Sequence, residues 1–277
     1  MMKKRKGITR KVRDGWIERW ELDNSQSALY FSFIKTQDIK SDGSKARVPD
    51  FCDNSQDRNL LSTNERLFFY RLRFSKRFVW IKEQYPLLPL ARAMAVAKEL
   101  KLKYPTYPYT SNIEVVMTSD FYCQDFTGQQ YVYSIKDEKQ FKKATERQKR
   151  NIEAKLKIEK VFWESQGVKW FLILSSSIKN TFSQNLGQII ASHQLSPLLK
   201  VLKQRWLMLF KQELAISYSK RLSDLIEVTA QQLNITFQDA VELFQHCVWH
   251  RKIKASLSTV RLHFEHSAES LGLEVVS

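Results

Sequence analysis

The chain of 277 residues is long enough for one large domain or two ordinary ones, and its 43% hydrophobic content excludes an intrinsically disordered polymer. Its 45 Lys and Arg against 29 Asp and Glu give a net charge of +16, which favours a polyanionic partner such as nucleic acid. No apolar run reaches the roughly 18 residues that span a membrane, and the basic start from Lys3 to Lys6 is not followed by a secretory apolar segment, so we predict a cytoplasmic protein.

Three cysteines, Cys52, Cys123 and Cys247, are spread along the chain without CxxC or His-x3-His spacing. This spacing argues against a zinc site, and the odd number argues against a disulfide framework. Reduced thiols in a cytoplasmic compartment fit the pattern.

The first 13 residues hold seven basic side chains and no acid. A segment of this composition is typical of a mobile arm that lies along DNA phosphates, and it is equally typical of a solvated terminus without a function. Both interpretations stay open. We assign residues 1–61 to this basic arm and to a lead-in segment that precedes the first predicted domain.

The periodicity of the apolar residues predicts alternating helices and strands from residue 62 onward. In chain order we expect a helix at 63–73, a strand at 78–84, a helical insertion at 90–100, strands at 113–122 and 129–136, a long helix at 138–166 that ends at Gly167, and a strand at 169–174. With the insertion set aside, this order is typical of restriction-endonuclease-like nucleases. We therefore predict an α/β domain over 62–176, with a mixed central sheet flanked by helices.

The remaining residues, 177–277, have a helical pattern. We expect helices at 197–217, 222–233 and 236–250, followed by a basic, β-compatible segment at 251–261. Two helices with a short turn and such a segment are typical of a helix-turn-helix with a wing, so we predict a helical, winged-helix-like C-terminal domain. A helical bundle without a nucleic-acid role stays open, because residues 178–277 carry 11 basic against 8 acidic side chains.

Two strand residues are candidates for chemistry on nucleic acid. Alternation along a strand places Asp120 on the face of Thr118, and Lys136 on the face of Ser134. If the two faces coincide, the carboxylate and the ammonium meet, and carboxylates are the ligands that Mg²⁺ or Mn²⁺ prefers in phosphodiester hydrolysis. A solvated lysine and a turn aspartate are the alternative interpretation of the same spacing.

Glu65 also has two interpretations. The residues from Ser62 to Glu65 fit the S-x-x-E capping box, in which the glutamate bonds back to the backbone at the start of a helix. A glutamate at the start of the first helix is also where nucleases of this class recruit a metal ligand. In that case Asn64 is a candidate for the capping role.

Several short motifs resemble the catalytic domain of the TnsA family of transposition endonucleases. The blocks that carry the resemblance are LS at 61–62 with Glu65, KEQYPLLP at 82–89, MTSDF at 117–121, IK at 135–136, KLKIE at 155–159, and then Trp163 and Trp170. Their shared order over residues 60–174 makes the match specific.

The resemblance implies a bacterial, Mg²⁺- or Mn²⁺-dependent endonuclease that cuts the 5′ strands at transposon ends during cut-and-paste transposition. It implies Glu65, Asp120 and Lys136 as the catalytic residues, with the metal held by Glu65, Asp120 and the backbone oxygen of Ile135. The partners that it implies are DNA, a TnsB-type transposase that cuts the other strand, and a TnsC-type ATPase regulator that docks through the C-terminal domain. No membrane partner is expected.

Ser134 departs from the family pattern, in which the residue two before the lysine is usually Gln. A hydroxyl is shorter, so we expect it to contact a metal only weakly or through water. Ser134 therefore joins Gln84 and Glu159 as second-tier site residues, with a structural amide and a surface ion pair as the alternatives for the latter two. The departure also supports a second hypothesis, a catalytically inactive winged-helix adaptor that binds DNA in a transposition complex.

Overall fold

The computed structural model of the protein describes residues 8–38, 45–50, 56–108, 110 and 112–276. The chain divides into two compact units, Met1–Arg66 with Lys76–Ser177 and Leu67–Ser75 with Ile178–Ser277. The lead-in segment belongs to the same unit as the central strands. The functional bounds predicted at 61/62 and 176/177 stay a prediction.

Helix α1 (Arg10–Gln26) begins inside the segment predicted as a mobile arm. Thr9 starts the helix, because its side chain accepts a hydrogen bond from the N–H of Val12 at 3.3 Å. Arg13 is buried and pairs with Glu114 at 2.6 Å. The arm prediction is therefore wrong for Arg10 to Arg13, and residues 1–7 lie outside the described part of the chain.

A hairpin and a four-stranded sheet organise the first unit. The hairpin joins β1 (Ala46–Asp50) to β2 (Gln56–Leu60). The sheet contains, in this order across it, β3 (Phe78–Pro86), β4 (Thr118–Asp125), β5 (Gln130–Lys136) and β6 (Lys169–Leu174). Its neighbouring strands are antiparallel except β5 and β6, which are parallel. The predicted mixed central sheet is confirmed.

Helices connect the strands of the first unit. They are α2 (Thr63–Ser75), α3 (Leu90–Glu99), α4 (Glu138–Lys143) and α5 (Glu146–Glu164). Helices α3 and α5 pack on the sheet around a core that includes Tyr122, Val132 and Phe162. Helix α2 is divided between the two units after Arg66.

Two predicted elements of this unit need correction. The single helix predicted over 138–166 is two helices, because Thr145 starts α5 through a reciprocal capping box with Gln148. The strand predicted over 113–122 begins only at Thr118. Thr145 lies between two segments that both favour helix. A prediction from periodicity alone therefore treats the two segments as one helix.

The second unit is mainly helical. Helix α6 (Ser175–Ile178) ends at the residue where the chain enters this unit. The helices after it are α7 (Thr181–Ile189), α8 (Pro197–Ile216), α9 (Leu222–Leu233) and α10 (Phe237–Trp249). Large buried side chains such as Trp206, Phe210 and Phe244 form its core. Asn234 ends α9 in a left-handed conformation with φ +52°. The predicted helical C-terminal region is confirmed.

The predicted wing is short in the structure. Within 251–261, only Ile253–Lys254 forms a strand, β7, which pairs with β8 (Glu274–Val275). A two-residue ladder does not distinguish a wing from a local turn. The winged-helix assignment therefore stays a prediction.

Within the described residues, no helix is both long enough and apolar enough to cross a membrane. Cys123 and Cys247 are buried free thiols. Cys52 lies outside the described residues.

Candidate active site

Asp120 and Lys136 lie side by side where β4 and β5 stop pairing. The ladder between the two strands ends at the pair Phe121 and Tyr133, so both residues lie beyond it. The Nζ atom of Lys136 is 3.7 Å from Oδ2 of Asp120. The N–H of Ile135 donates to the same oxygen at 2.5 Å. The structure thus brings together the carboxylate and the ammonium, as the sequence pattern predicts if the faces of the two strands coincide.

Glu65 lies in the first turn of α2 with 6% of its surface exposed. Its N–H donates to the hydroxyl of Ser62 at 3.2 Å, so Ser62 caps the helix. Its carboxylate accepts from that hydroxyl at 2.8 Å, from the N–H of Leu61 at 2.9 Å and from Nε2 of Gln84 at 3.1 Å. Asn64 does not act as the cap, because its side-chain oxygen has no hydrogen-bond partner. Glu65 therefore bonds back to the backbone before the helix, at Leu61 and not at Ser62, and this bond is compatible with a place in the site.

The surroundings of Glu65 disfavour its charged form. Burial, followed by the negative charge of Asp120, raises the pKa of Glu65 to about 8. Hydrogen bonds from Leu61 and Ser62 act in the opposite direction. A cation bound beside these two carboxylates would favour the ionised form of Glu65.

Lys136 lies among three carboxylates. Burial by itself would lower the pKa of Lys136, but the charges of Asp120, Glu159 and Glu65 raise it above its ordinary value. The side chain is 31% exposed, so part of it is open to solvent. Three carboxylates around one ammonium leave an excess of two negative charges when all four groups are ionised.

Glu159 projects from α5 into the same cluster and is 5% exposed. Its Oε1 accepts hydrogen bonds from the hydroxyl of Ser119 at 2.6 Å and from that of Ser134 at 2.5 Å. Burial raises the pKa of Glu159, although the charge of Lys136 opposes this effect. The alternative of a surface ion pair for Glu159 is wrong, because the side chain is buried.

The sequence pattern did not reveal Ser119 as part of this cluster. Ser119 is fully buried, donates to Glu159 and accepts from Nε1 of Trp163 at 2.8 Å. The one sequence signal for Ser119 is its place directly before Asp120. Regular alternation along the strand, however, assigns Ser119 to the sheet face opposite to that of Asp120. Ser134 donates to the same carboxylate, so its hydroxyl has a protein partner, and its contact with a metal stays a prediction.

Gln84 connects Glu65 to β4. Its Nε2 donates to Glu65, its Oε1 accepts from the hydroxyl of Thr118 at 3.1 Å, and the residue is 2% exposed. Its backbone φ is +48°, a left-handed conformation that is rare for residues other than glycine. The structure therefore places this second-tier residue in direct contact with Glu65.

The chemistry of the cluster fits a hard divalent cation. The described residues contain no group of three or more His, Cys, Asp or Glu that could hold a metal ion. A cation here would therefore draw on the carboxylates of Glu65 and Asp120 and on the main-chain oxygen of Ile135. These are oxygen donors, which Mg²⁺ and Mn²⁺ prefer, and a bound cation would favour the ionised form of Glu65 beside Asp120.

Comparisons with known proteins point to one family. Residues 75–175 match the model of a family described as TnsA-like endonuclease N terminal. This part of the chain is TnsA-like. The matched range contains Asp120, Lys136 and Glu159 but begins after Glu65.

A curated relative extends the likeness along the chain. The transposon Tn7 transposition protein TnsA of Escherichia coli is 25% identical to this TnsA-like chain over 191 residues. The alignment covers 64% of this chain and 65% of that relative. The chain thus spans slightly less than two thirds of the length of the relative.

Proposed function

We propose that this TnsA-like chain is a Mg²⁺- or Mn²⁺-dependent DNA endonuclease that hydrolyses phosphodiester bonds in the 5′ strands at transposon ends. The observation that carries the proposal is the convergence of Asp120, Lys136 and Glu65 at one site of the first unit. The match of residues 75–175 to a TnsA-like endonuclease domain supports the reaction. The name of the E. coli relative supports transposition as the process.

Lys136 supplies a fixed positive charge. Because its neighbours raise its pKa, the ammonium keeps its proton and does not act as a base. It is placed to donate hydrogen bonds to a nonbridging oxygen of the scissile phosphate, where negative charge develops in the transition state. The exposed third of its side chain is open to the substrate.

Asp120 and Glu65 present carboxylate oxygens from a strand and from the start of a helix. The N–H of Ile135 fixes Oδ2 of Asp120, while Leu61 and Gln84 fix Oε2 of Glu65. These hydrogen bonds determine the orientation of both carboxylates before a substrate arrives. A divalent cation held between them would neutralise phosphate charge and activate a water molecule.

DNA as the substrate agrees with the distribution of charge. Residues 1–177 carry 34 basic against 21 acidic side chains. Helices α4 and α5 expose a series of basic side chains, namely Lys142, Lys143, Arg147, Arg150 and Lys157. We assign to this surface the contacts with DNA phosphates, which position the duplex without reading its sequence.

The partners assigned to the chain are those that the TnsA resemblance implies. A TnsB-type transposase cuts the other strand, and a TnsC-type ATPase regulator docks on the C-terminal region. Recognition of the ends belongs mainly to the TnsB-type partner. We therefore expect low cleavage activity from the isolated chain.

The buried network around Glu159 supports an enzyme over a catalytically inactive adaptor. Ser134, which favours the adaptor by its departure from the family pattern, donates to Glu159. Burial raises the pKa of both Glu159 and Glu65, and carboxyl groups perturbed in this way concentrate at functional sites.

Reconstitution with the partner proteins on DNA that carries both transposon ends tests the proposal. With Mg²⁺ we expect breaks in the 5′ strands at both ends, and no breaks in EDTA. Asp120→Asn should abolish the breaks, whereas the matched substitution Asp23→Asn, at an exposed position on α1, should retain them. Cleavage that survives Asp120→Asn would remove this site from the mechanism.

A further inference from the structure

The side chain of Gln84 is fixed by hydrogen bonds at both ends of its amide. Nε2 donates to Oε2 of Glu65 at 3.1 Å, and Oε1 accepts from the hydroxyl of Thr118 at 3.1 Å. In the ionised form that would bind a cation, the carboxylate only accepts hydrogen bonds, so the amide nitrogen is the group that can donate to Glu65. Thr118 stabilises this orientation because it donates to the oxygen at the other end.

The backbone at Gln84 interrupts the regular alternation of β3. Lys82 pairs with Tyr122 across the sheet and shares its face. The ring of Tyr85 lies 4.5 Å from that of Tyr122, and both rings contact Trp163 on α5. Positions 82 and 85 thus share one face, although residues three apart in a regular strand point to opposite faces. The left-handed φ of +48° at Gln84 accounts for the break.

Contacts on both sides of Gln84 keep this conformation in place. The N–H of Phe33 donates to the carbonyl oxygen of Gln84 at 3.3 Å. The preceding residue, Glu83, is buried, pairs with Arg58 at 3.3 Å and accepts the N–H of Asn59 at 3.1 Å. A sparsely populated backbone conformation persists only where its surroundings determine it, and such residues concentrate at functional sites.

We infer that Gln84 is a positioning residue that holds the carboxylate of Glu65 in the orientation in which it binds a divalent cation together with Asp120. The inference rests on the proposed function. A neutral amide suits this role, because it fixes the carboxylate without adding a positive charge that would compete with the cation.

A glycine substitution at position 84 distinguishes the effect of the side-chain amide from the effect of the left-handed backbone. Gln84→Gly keeps the left-handed conformation accessible but removes both side-chain hydrogen bonds. Lys101→Gly, at an exposed residue with φ +54°, is the matched control because it makes the same backbone change elsewhere. The melting temperature of each full-length protein, measured against Mn²⁺ concentration, gives an apparent Kd.

We expect Gln84→Gly to melt below the wild-type temperature in EDTA, because two hydrogen bonds of a buried side chain are lost, and to bind Mn²⁺ about tenfold or more weakly. Lys101→Gly should keep the wild-type Kd. Cleavage by Gln84→Gly should recover at high Mn²⁺, because its defect lies in binding. A wild-type Kd in Gln84→Gly overturns the inference and leaves the proposed function standing, whereas a wild-type protein that Mn²⁺ does not stabilise overturns both.

Thr118→Val provides a second variant, which decides the question if Gln84→Gly does not fold. Valine keeps the shape of the side chain and removes only the hydroxyl that orients the amide. We expect the apparent Kd for Mn²⁺ to rise roughly threefold or more, as for the loss of one hydrogen bond. An unchanged Kd in Thr118→Val contradicts the inference.

Discussion

The Nζ atom of Lys136 lies 3.7 Å from Oδ2 of Asp120, at the point where β4 and β5 stop pairing. The same oxygen accepts the N–H of Ile135 at 2.5 Å. The end of the ladder thus leaves the carboxylate free to accept from the backbone while an ammonium lies beside it. Lys136 is surrounded by the carboxyl groups of Asp120, Glu159 and Glu65. Substitutions of different members of this cluster should therefore have different effects on metal binding, cleavage and stability.

Asp120→Asn should remove most of the stabilisation by Mn²⁺. A ligand at a hundredfold its Kd stabilises the native protein by about 2.7 kcal/mol, and the variant lacks one of the two carboxylates proposed to hold the ion. Calorimetric melting with and without Mn²⁺ measures the difference. Asp23→Asn, exposed on α1, should respond like the wild type. An undiminished response in Asp120→Asn would place the cation elsewhere.

Lys136→Met should strongly slow cleavage and keep or strengthen Mn²⁺ binding. The substitution removes a charge that stabilises the transition state, an effect of roughly 10²–10³ in rate, and it also removes a positive charge that repels the metal. Gel assays of the reconstituted complex give the rate, and thermal titration gives the Kd for Mn²⁺. Lys211→Met, at an exposed position on α8, is the control for both. Weaker Mn²⁺ binding in Lys136→Met would contradict the assigned role.

Ser134→Ala should lower the free energy of unfolding by about 1–3 kcal/mol, because the buried carboxylate of Glu159 loses a hydrogen bond. Ser176 donates to Glu138 at 2.9 Å on the surface, so Ser176→Ala removes the same type of bond in water. The surface substitution should cost about 0.5 kcal/mol or less. Urea denaturation compares the two variants, and equal losses would mean that the burial of Glu159 has no energetic effect.

Glu159→Gln should change the pH dependence of stability. Burial raises the folded-state pKa of Glu159 above its ordinary value of 4.5, so the folded protein binds this proton more tightly than the unfolded chain. The wild type therefore loses this contribution as the pH rises above about 4.5, whereas glutamine cannot ionise. The variant should gain stability relative to the wild type as the pH rises through this window. Urea denaturation in EDTA at several pH values measures the difference, and a constant difference would refute the assignment.

Local patterns were sufficient to predict much of the sheet. The strand at 169–174 and the helix at 222–233 have the predicted bounds, because their periodicity is strong and breaking residues flank them. For Asp120 and Lys136 the spacing left a solvated lysine and a turn aspartate as the alternative, and the resemblance to the TnsA family selected the pair. The bounds of the two elements needed only the chemistry of neighbouring residues.

Features that depend on distant contacts were not predictable from the pattern. Helix α1 begins within a basic run, and the ion pair that buries Arg13 reaches Glu114, 101 residues away. The left-handed backbone at Gln84 has no signal in the sequence, because glutamine rarely adopts it. The burial of Glu159 depends on two serines of the sheet, one of which alternation assigns to the opposite face.

The central claim is that a divalent cation binds between Glu65 and Asp120. X-ray diffraction from crystals soaked in Mn²⁺, recorded with anomalous scattering of manganese, locates such an ion directly. We predict a peak about 2.1 Å from a carboxylate oxygen of each residue and from the main-chain oxygen of Ile135, and no peak there in Asp120→Asn. A peak at another site, or an equal peak in Asp120→Asn, would contradict the claim.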